Sequence, residues 1–355
     1  MRRRREVRDL SRFKRACRQA IHKIAQRFRD HEVHNFYKRQ FYEYRAYAGE
    51  AAAKATVRDY RRAYKHTRCS GREYILFRFY EKSREERDTY LTNLRRDRFI
   101  RQIGDDQTSN ASVPGNKILF NMLFERYLCR AWINPTAVTP EGFAAFVKEH
   151  GRVMVKPACD GKGHGITVYH YEGDEAARAY HDTLVGEPML VEEMPIQHPQ
   201  MDRLNPHCLN TVRVTTYTDR DEVHIILATL RSATDAKIVD NFAVGGMLLA
   251  VDLQSGKVVS DGIDEKMRTY VTHPVTGVAL RGFQLPNWSK AMDVVRRASR
   301  DMYAMPQCRF LGWDIAFFKN GDVGIIECNW RQGVEIQMAH GRGIYYELDA
   351  LRQKL

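Results

Sequence analysis

The chain has 355 residues and a formal net charge of +13, with 43% hydrophobic and 28% charged residues. That length can bury a large core in two or three domains or lobes, and the composition is that of a soluble globular protein. No apolar run is long enough to span a bilayer, and no apolar stretch follows Arg2-Arg3-Arg4-Arg5, so neither a membrane span nor a secretory signal is expected. Seven cysteines, at 17, 69, 129, 159, 208, 308 and 328, form no CxxC pair and no Cys/His zinc spacing. They read as reduced thiols of a cytoplasmic protein.

The positive charge is concentrated at the start of the chain. Residues 1–101 hold 30 Lys+Arg and 13 Asp+Glu, a balance of +17, and the 27 basic and 31 acidic residues that follow balance at −4. Val7, Leu10, Phe13, Cys17, Ile21, Ile24 and Phe28 recur at helical spacing with Arg and Lys between them. Such a stripe either packs on the main body or lies on an anionic membrane surface, and for residues 1–30 the sequence leaves both open. Ala51-Ala52-Ala53 and the segment Tyr74 to Arg101 predict further helices, packed by their apolar stripes. No nucleic-acid-binding signature accompanies the charge, so nucleic acid is not expected as a partner.

A polar segment from Gly104 to Gly115 reads as a loop, followed by a helix from Lys117 to Arg130. Val153-Met-Val-Lys156-Pro is a short strand. It leads into Asp160-Gly161-Lys162-Gly163-His164-Gly165 and then a second strand, Ile166-Thr-Val-Tyr. Strand, glycine loop, strand differs from the strand, loop, helix order of a P-loop or dinucleotide fingerprint. Glycines let backbone N–H groups close over phosphates, and Lys156 supplies a cation. Met189-Leu-Val-Glu192-Glu193-Met is a strand ending in acids, suited to a hinge that reads an adenine edge and a ribose hydroxyl. Arg213 lies in the alternating strand Thr211-Val-Arg-Val-Thr, and Arg231 ends the next one, Val223 to Leu230. Both suit bidentate contact with phosphate or carboxylate. Asn241 precedes Gly245-Gly246 in a loop that either meets substrate or is a plain turn. His198, between Gln197 and Pro199, is more simply structural.

The last motif carries the most chemistry. Leu311-Gly-Trp-Asp314-Ile-Ala-Phe-Phe and Gly324-Ile-Ile-Glu327-Cys-Asn329-Trp flank Lys319-Asn320-Gly321-Asp322, a hairpin signal. Glu327 and Asn329, two apart, share a strand face that Asp314 can meet. Two carboxylates and an amide oxygen form a hard oxygen site suited to Mg²⁺ carrying nucleotide phosphates.

Together these pieces, over about residues 115–340, resemble the ATP-grasp superfamily. More narrowly they resemble the sugar-transfer-associated ATP-grasp family, which is related to alpha-L-glutamate ligases. The narrower resemblance rests on Glu193-Met-Pro-Ile-Gln197-His198-Pro199, Leu209-Asn210-Thr211-Val-Arg213-Val-Thr215, Leu230-Arg231, Val239-Asp240-Asn241 with Gly245-Gly246, and Gly312-Trp313-Asp314. It implies an α+β fold of two lobes sandwiching ATP, over 106–192 and 193–355, behind a basic, mainly helical region over 1–105. Under it, Lys117 and Lys156 contact the nucleotide, and Gly161, Lys162, Gly163, His164 and Gly165 form a flap over the phosphates. Glu192 or Glu193 holds the ribose. Arg213 and Arg231, with Asn241, serve the reacting groups, and Asp314, Glu327 and Asn329 bind Mg²⁺. The implied activity is ligation of a small-molecule carboxylate to an amine through an acyl phosphate. A kinase on the same fold and a non-catalytic nucleotide-binding protein remain as alternatives.

Overall fold

A helix over Glu50–Thr67 opens the part of the chain that the computed structural model describes, residues 50–105, 113–159, 165–236, 242, 245–304 and 308–354. The basic stripe of residues 1–30 lies outside the described residues, as do Gly161, Lys162, Gly163, His164 and Asn241. By its internal contacts the chain divides into two units, Met1–Asp88 and Thr89–Leu355.

In the first unit the helical pattern breaks into short pieces, Gly71–Leu76 and Arg84–Asp88, because capping boxes start each of them. Ser70 with Glu73, and Ser83 with Glu86, exchange side-chain and backbone hydrogen bonds reciprocally. Arg78, at φ 51°, interrupts the path between them. Tyr60, Tyr74 and Phe79 are buried, and Asp59 accepts from the Tyr74 hydroxyl at 2.6 Å and from Arg87 at 2.9 Å. The apolar stripe expected to pack here is thus an aromatic core of this unit.

The second unit begins with a helix over Asn93–Gln102, capped by Thr92, and a helix over Lys117–Phe124, capped by Asn116. The latter ends earlier than the expected Arg130, passing through a 3₁₀ turn at Glu125–Tyr127 to Cys129 at φ 54°. Two antiparallel sheets follow. The first holds β1 (Trp132–Ile133), β2 (Arg152–Pro157), β3 (Thr167–His170) and β4 (Met189–Glu193) in the order β1-β4-β2-β3. Alternation sorts its residues. Val153, Val155 and Val191 pack under the helices Pro140–His150 and Asp174–Leu184, while Met154, Lys156, Leu190 and Glu192 line a cleft on the opposite face.

The second sheet holds β5 (Thr211–Thr218), β6 (Val223–Ala233), β7 (Gly246–Val251), β8 (Gly262–Asp264), β9 (Thr269–Tyr270), β10 (Phe310–Phe317) and β11 (Val323–Asn329), in the order β11-β10-β5-β6-β7-β8-β9. One face carries Val212, Val214, Leu230, Leu311, Trp313 and Ile315 into a core with the helix Trp288–Ala304. The other carries Thr211, Arg231 and Asp314 into the cleft.

Asp105, expected in a polar loop, is buried. Its Oδ2 accepts from the backbone N–H of Arg309 at 2.6 Å and of Phe310 at 2.9 Å, while Oδ1 has no hydrogen-bond partner. Burial pushes its pKa up to about 6 against the opposing pull of those two bonds and of Arg309. The folded state therefore binds this proton more tightly than the unfolded chain does. The resulting stabilisation is full below the unfolded pKa and is lost as pH rises through about 6. Urea unfolding at pH 4.5 and 7 is expected to show Asp105→Asn losing this dependence. The difference between variant and parent is at most ~3 kcal/mol. Equal pH slopes would remove Asp105 as the source.

Candidate active site

The hairpin expected at residues 311–330 is present. β10 and β11 pair antiparallel, Phe318 donates its N–H to Asp322 O at 2.9 Å, and Gly321 sits at φ +83°, where a side chain would be strained. The register pairs Gly312 with Asn329 and Asp314 with Glu327, so all four share a face. A bulge lies just beyond them: Asp314 pairs with Glu327 but Ile315 with Ile325, leaving Ile326 as an extra residue. The bulge reverses the phase of the strand. Val323 and Ile325 point into the core, as does Cys328, while Glu327 and Asn329 turn to the cleft.

Neighbouring strands complete this face. Arg213 on β5 is opposite Asp314, and Arg231 on β6 is opposite Thr211. Arg213 grips Asp314 through both Nε and Nη2, the latter at 2.8 Å, and Arg231 Nη2 donates to Asp314 Oδ2 at 2.8 Å. Thr211 Oγ1 accepts from Arg231 Nη2 at 2.7 Å and fixes its direction. Gly312 makes room for this arrangement. A Cβ there would stand 2.9 Å from Arg213 Cδ and 2.6 Å from Gln332 Oε1. Burial alone would raise the Asp314 pKa, but the two guanidiniums outweigh it and hold the carboxyl well below the usual range. Glu327 shifts the other way, raised by burial and then by the Asp314 charge against it. Asn329 Nδ2 donates to Glu327 Oε1 at 3.1 Å.

The donor chemistry fits a hard divalent cation. A half-exposed carboxyl pressed against a carboxylate is a place where a cation would relieve like-charge repulsion. Among the described residues no three His, Cys, Asp or Glu side chains group as metal ligands. The set here has two carboxylates and an amide, whose oxygen would have to turn inward to ligate.

The four-stranded sheet supplies the facing wall of the cleft, a space of about 640 Å³. Lys117 and Lys156 both line it. Lys117 Nζ donates to Pro157 O at 3.3 Å, and burial lowers its pKa, with Glu327 opposing. Lys156 Nζ is bonded to Glu192, whose other oxygen accepts from Asn121 Nδ2 at 3.0 Å and from Arg130 Nε at 3.0 Å and Nη2 at 2.6 Å. Burial would raise Glu192, and Arg130 and Lys156 overcome it, so its pKa is lowered. Glu193 points away from the cleft, its Oε2 accepting from the Ala131 N–H at 3.0 Å. The structure therefore brings Lys117, Lys156, Glu192, Arg231, Asp314, Glu327 and Asn329 to one cleft, with Arg213 behind Asp314. Gly165, at φ +70°, is the one described flap glycine, and a Cβ on it would meet Pro157 Cγ at 2.8 Å. His198 caps the helix Pro199–Leu204 through Nδ1, a structural part.

Arg130, Asn121, Thr211 and Gln332 escape a reading of the sequence for site residues. Their partners lie far away in the chain, Arg130 with Glu192 and Gln332 with Thr215, so no local spacing marks them.

Two antiparallel sheets enclosing a cleft, with lysines on one wall and an acid-amide trio on the other, define the ATP-grasp class. The model of the family described as sugar-transfer associated ATP-grasp matches residues 131–353, and the chain belongs to that family. No curated protein matches the chain. Among solved structures it is similar to D-alanyl-alanine synthetase A from Vibrio cholerae O1 biovar eltor. The TM-score is 0.43 and the identity 11%, over 68% of this chain and 65% of that one. It is also similar to the ATP-grasp ligase PsnB complexed with minimal precursor, at TM-score 0.42 and 16% identity over 70% and 63%. D-cycloserine synthetase DcsG scores 0.41 with 10% identity over 66% and 71%. The matches to the first two thus span less than two thirds of those chains. The family assignment rests on the match over residues 131–353. Among the described residues no helix is long and apolar enough to cross a membrane.

Proposed function

We propose that the chain is an Mg²⁺- and ATP-dependent carboxylate–amine ligase. The observation that supports this best is the sharing of one cleft by Lys117 and Lys156 with Arg231, Asp314, Glu327 and Asn329. The cleft has a surplus of cations. Glu192 is shared by two cations and Asp314 by two more, and Lys117 lines the same cleft. A polyphosphate satisfies that surplus, and so does a substrate carboxylate.

In this reading Lys117 and Lys156 bind the phosphates, and Asp314, Glu327 and Asn329 hold Mg²⁺. Bound there, the ion would neutralise charge on the transferring phosphoryl group. Arg231, aimed by Thr211 and Asp314, orients the substrate carboxylate for attack on the γ-phosphate. Arg213 keeps Asp314 ionised and fixed. ADP leaves as the acyl phosphate forms, and an amine then attacks the acyl carbon and expels phosphate, giving an amide. The family's link to sugar transfer makes sugar-linked and amino-acid carboxylates the acids to try first.

The test is ADP release from Mg-ATP across uronic acids, nucleotide-sugar acids and amino acids, with hydroxylamine present and products read by mass spectrometry. A carboxylate-dependent hydroxamate is expected. ADP release with a stable phosphorylated product and no hydroxamate would make the protein a kinase and sink the ligase reading.

A further inference from the structure

Arg130 is almost inaccessible, its side chain 2% exposed, yet it touches both walls of the cleft. Toward the four-stranded sheet it donates Nε and Nη2 to Glu192 Oε1. Toward the seven-stranded sheet it donates Nη1 to Ile325 O at 2.7 Å and Nη2 to Ile326 O at 3.1 Å. Those carbonyls belong to the bulge. A bulge takes its extra residue out of the regular ladder, so its backbone groups need other partners. Arg130 provides them at the step where β11 turns from core-facing to cleft-facing residues. The next residue is Glu327.

We propose that Arg130 is a positioning residue that ties Lys156 to the metal-binding end of β11, so that nucleotide and Mg²⁺ sites are set together. This rests on the proposed Mg-ATP reading of the cleft. The two contacts have separate consequences. Arg130 neutralises Glu192, and the charge of Lys156 is then left over for a phosphate. Arg130 also pins Ile325 and Ile326, and so aims Glu327 and Asn329. A planar fork with five donors makes both contacts at once, and a lysine ammonium on a flexible stem cannot span them.

The test uses the full chain with Arg130→Gln, Arg130→Lys and the double variant Arg130→Gln/Glu192→Gln. Calorimetry measures ADP affinity with and without Mg²⁺, and melting temperature is recorded for each. Arg130→Gln is expected to weaken ADP tenfold or more and to abolish the gain in affinity that Mg²⁺ gives the parent. Arg130→Lys should restore part of the affinity for ADP alone without restoring the Mg²⁺ gain. In the double variant the buried carboxylate that has lost one of its two cations is gone, so the melting temperature should recover while the Mg²⁺ gain stays lost. Recovery of the Mg²⁺ gain together with the melting temperature would overturn the inference, leaving Arg130 as charge compensation only. Parent-like behaviour of Arg130→Gln would do the same. If Arg130→Gln fails to fold, the lysine and double variants decide. Absence of ADP binding by the parent would instead refute the Mg-ATP reading itself.

Discussion

Replacing Asp314 by asparagine is expected to abolish ATP turnover and to lower stability sharply. The change barely alters shape. It removes the charge that Arg213 and Arg231 share, two guanidiniums that both donate to this one carboxylate. The arginines would then repel each other in a place that little water reaches. Breaking a buried pair from one side costs about 3–5 kcal/mol. The effect should be visible in a thermal melt without any ligand. Under the proposed function turnover should fail for two reasons, since the cation would lose a ligand and Arg231 would lose its aim. Turnover kept within a few-fold of the parent would remove Asp314 from the metal set. Loss of turnover with an unchanged melting temperature would mean that the arginines find other partners.

Lys156→Met is expected to do the reverse, with a large effect on nucleotide and a small one on the fold. Glu192 keeps Arg130 and Asn121 when the lysine goes, so its buried charge remains compensated. Stability should fall by about 1.5–3 kcal/mol, the scale of one hydrogen bond to a charged group. ATP should bind about thirtyfold more weakly, equivalent to ~2 kcal/mol, because one phosphate loses its cation. Titration calorimetry with ATP beside a urea melt separates the two quantities. An unfolded variant would show that Lys156 is needed to compensate Glu192. Unchanged affinity would show that the lysine serves Glu192 and not the nucleotide.

Much of this site was legible because it is local. Asn320-Gly321 between alternating runs gives a hairpin that brings Asp314 beside this part of β11, and the bulge at Ile326 then sets it level with Glu327. The lysine and glycines around β2 are also contiguous, and the strand, loop, strand order is visible in their spacing. Three things were not legible. The choice between Glu192 and Glu193 depends on which face of β4 meets the helices, and Val191 in that core puts Glu192 in the cleft. The role of Glu192 depends on Arg130, 62 residues earlier. Once it carries Arg130, Asn121 and Lys156, its carboxylate is occupied in a way that a hinge acid reading ribose would not be. The helices around residues 71–102 were expected as a periodic pattern, and their breaks follow from serine and threonine caps that such a pattern does not weigh.

The extra residue in β11 is a separable part of the candidate site, an insertion that bends the strand and offers a carbonyl to Arg130. Up to Ile325 the strand serves the hydrophobic layer, and after Ile326 it serves the chemistry. Removing Ile326 would leave every apolar contact before it in place. It would also leave the two sides of the remainder as they are, because Glu327 would follow Ile325 directly in a regular ladder and so still face the cleft, with Cys328 in the core. What the deletion would remove is the bend and the Ile326 carbonyl that accepts from Arg130, so it would loosen the aim of Glu327 and Asn329 while sparing the sheet that carries them.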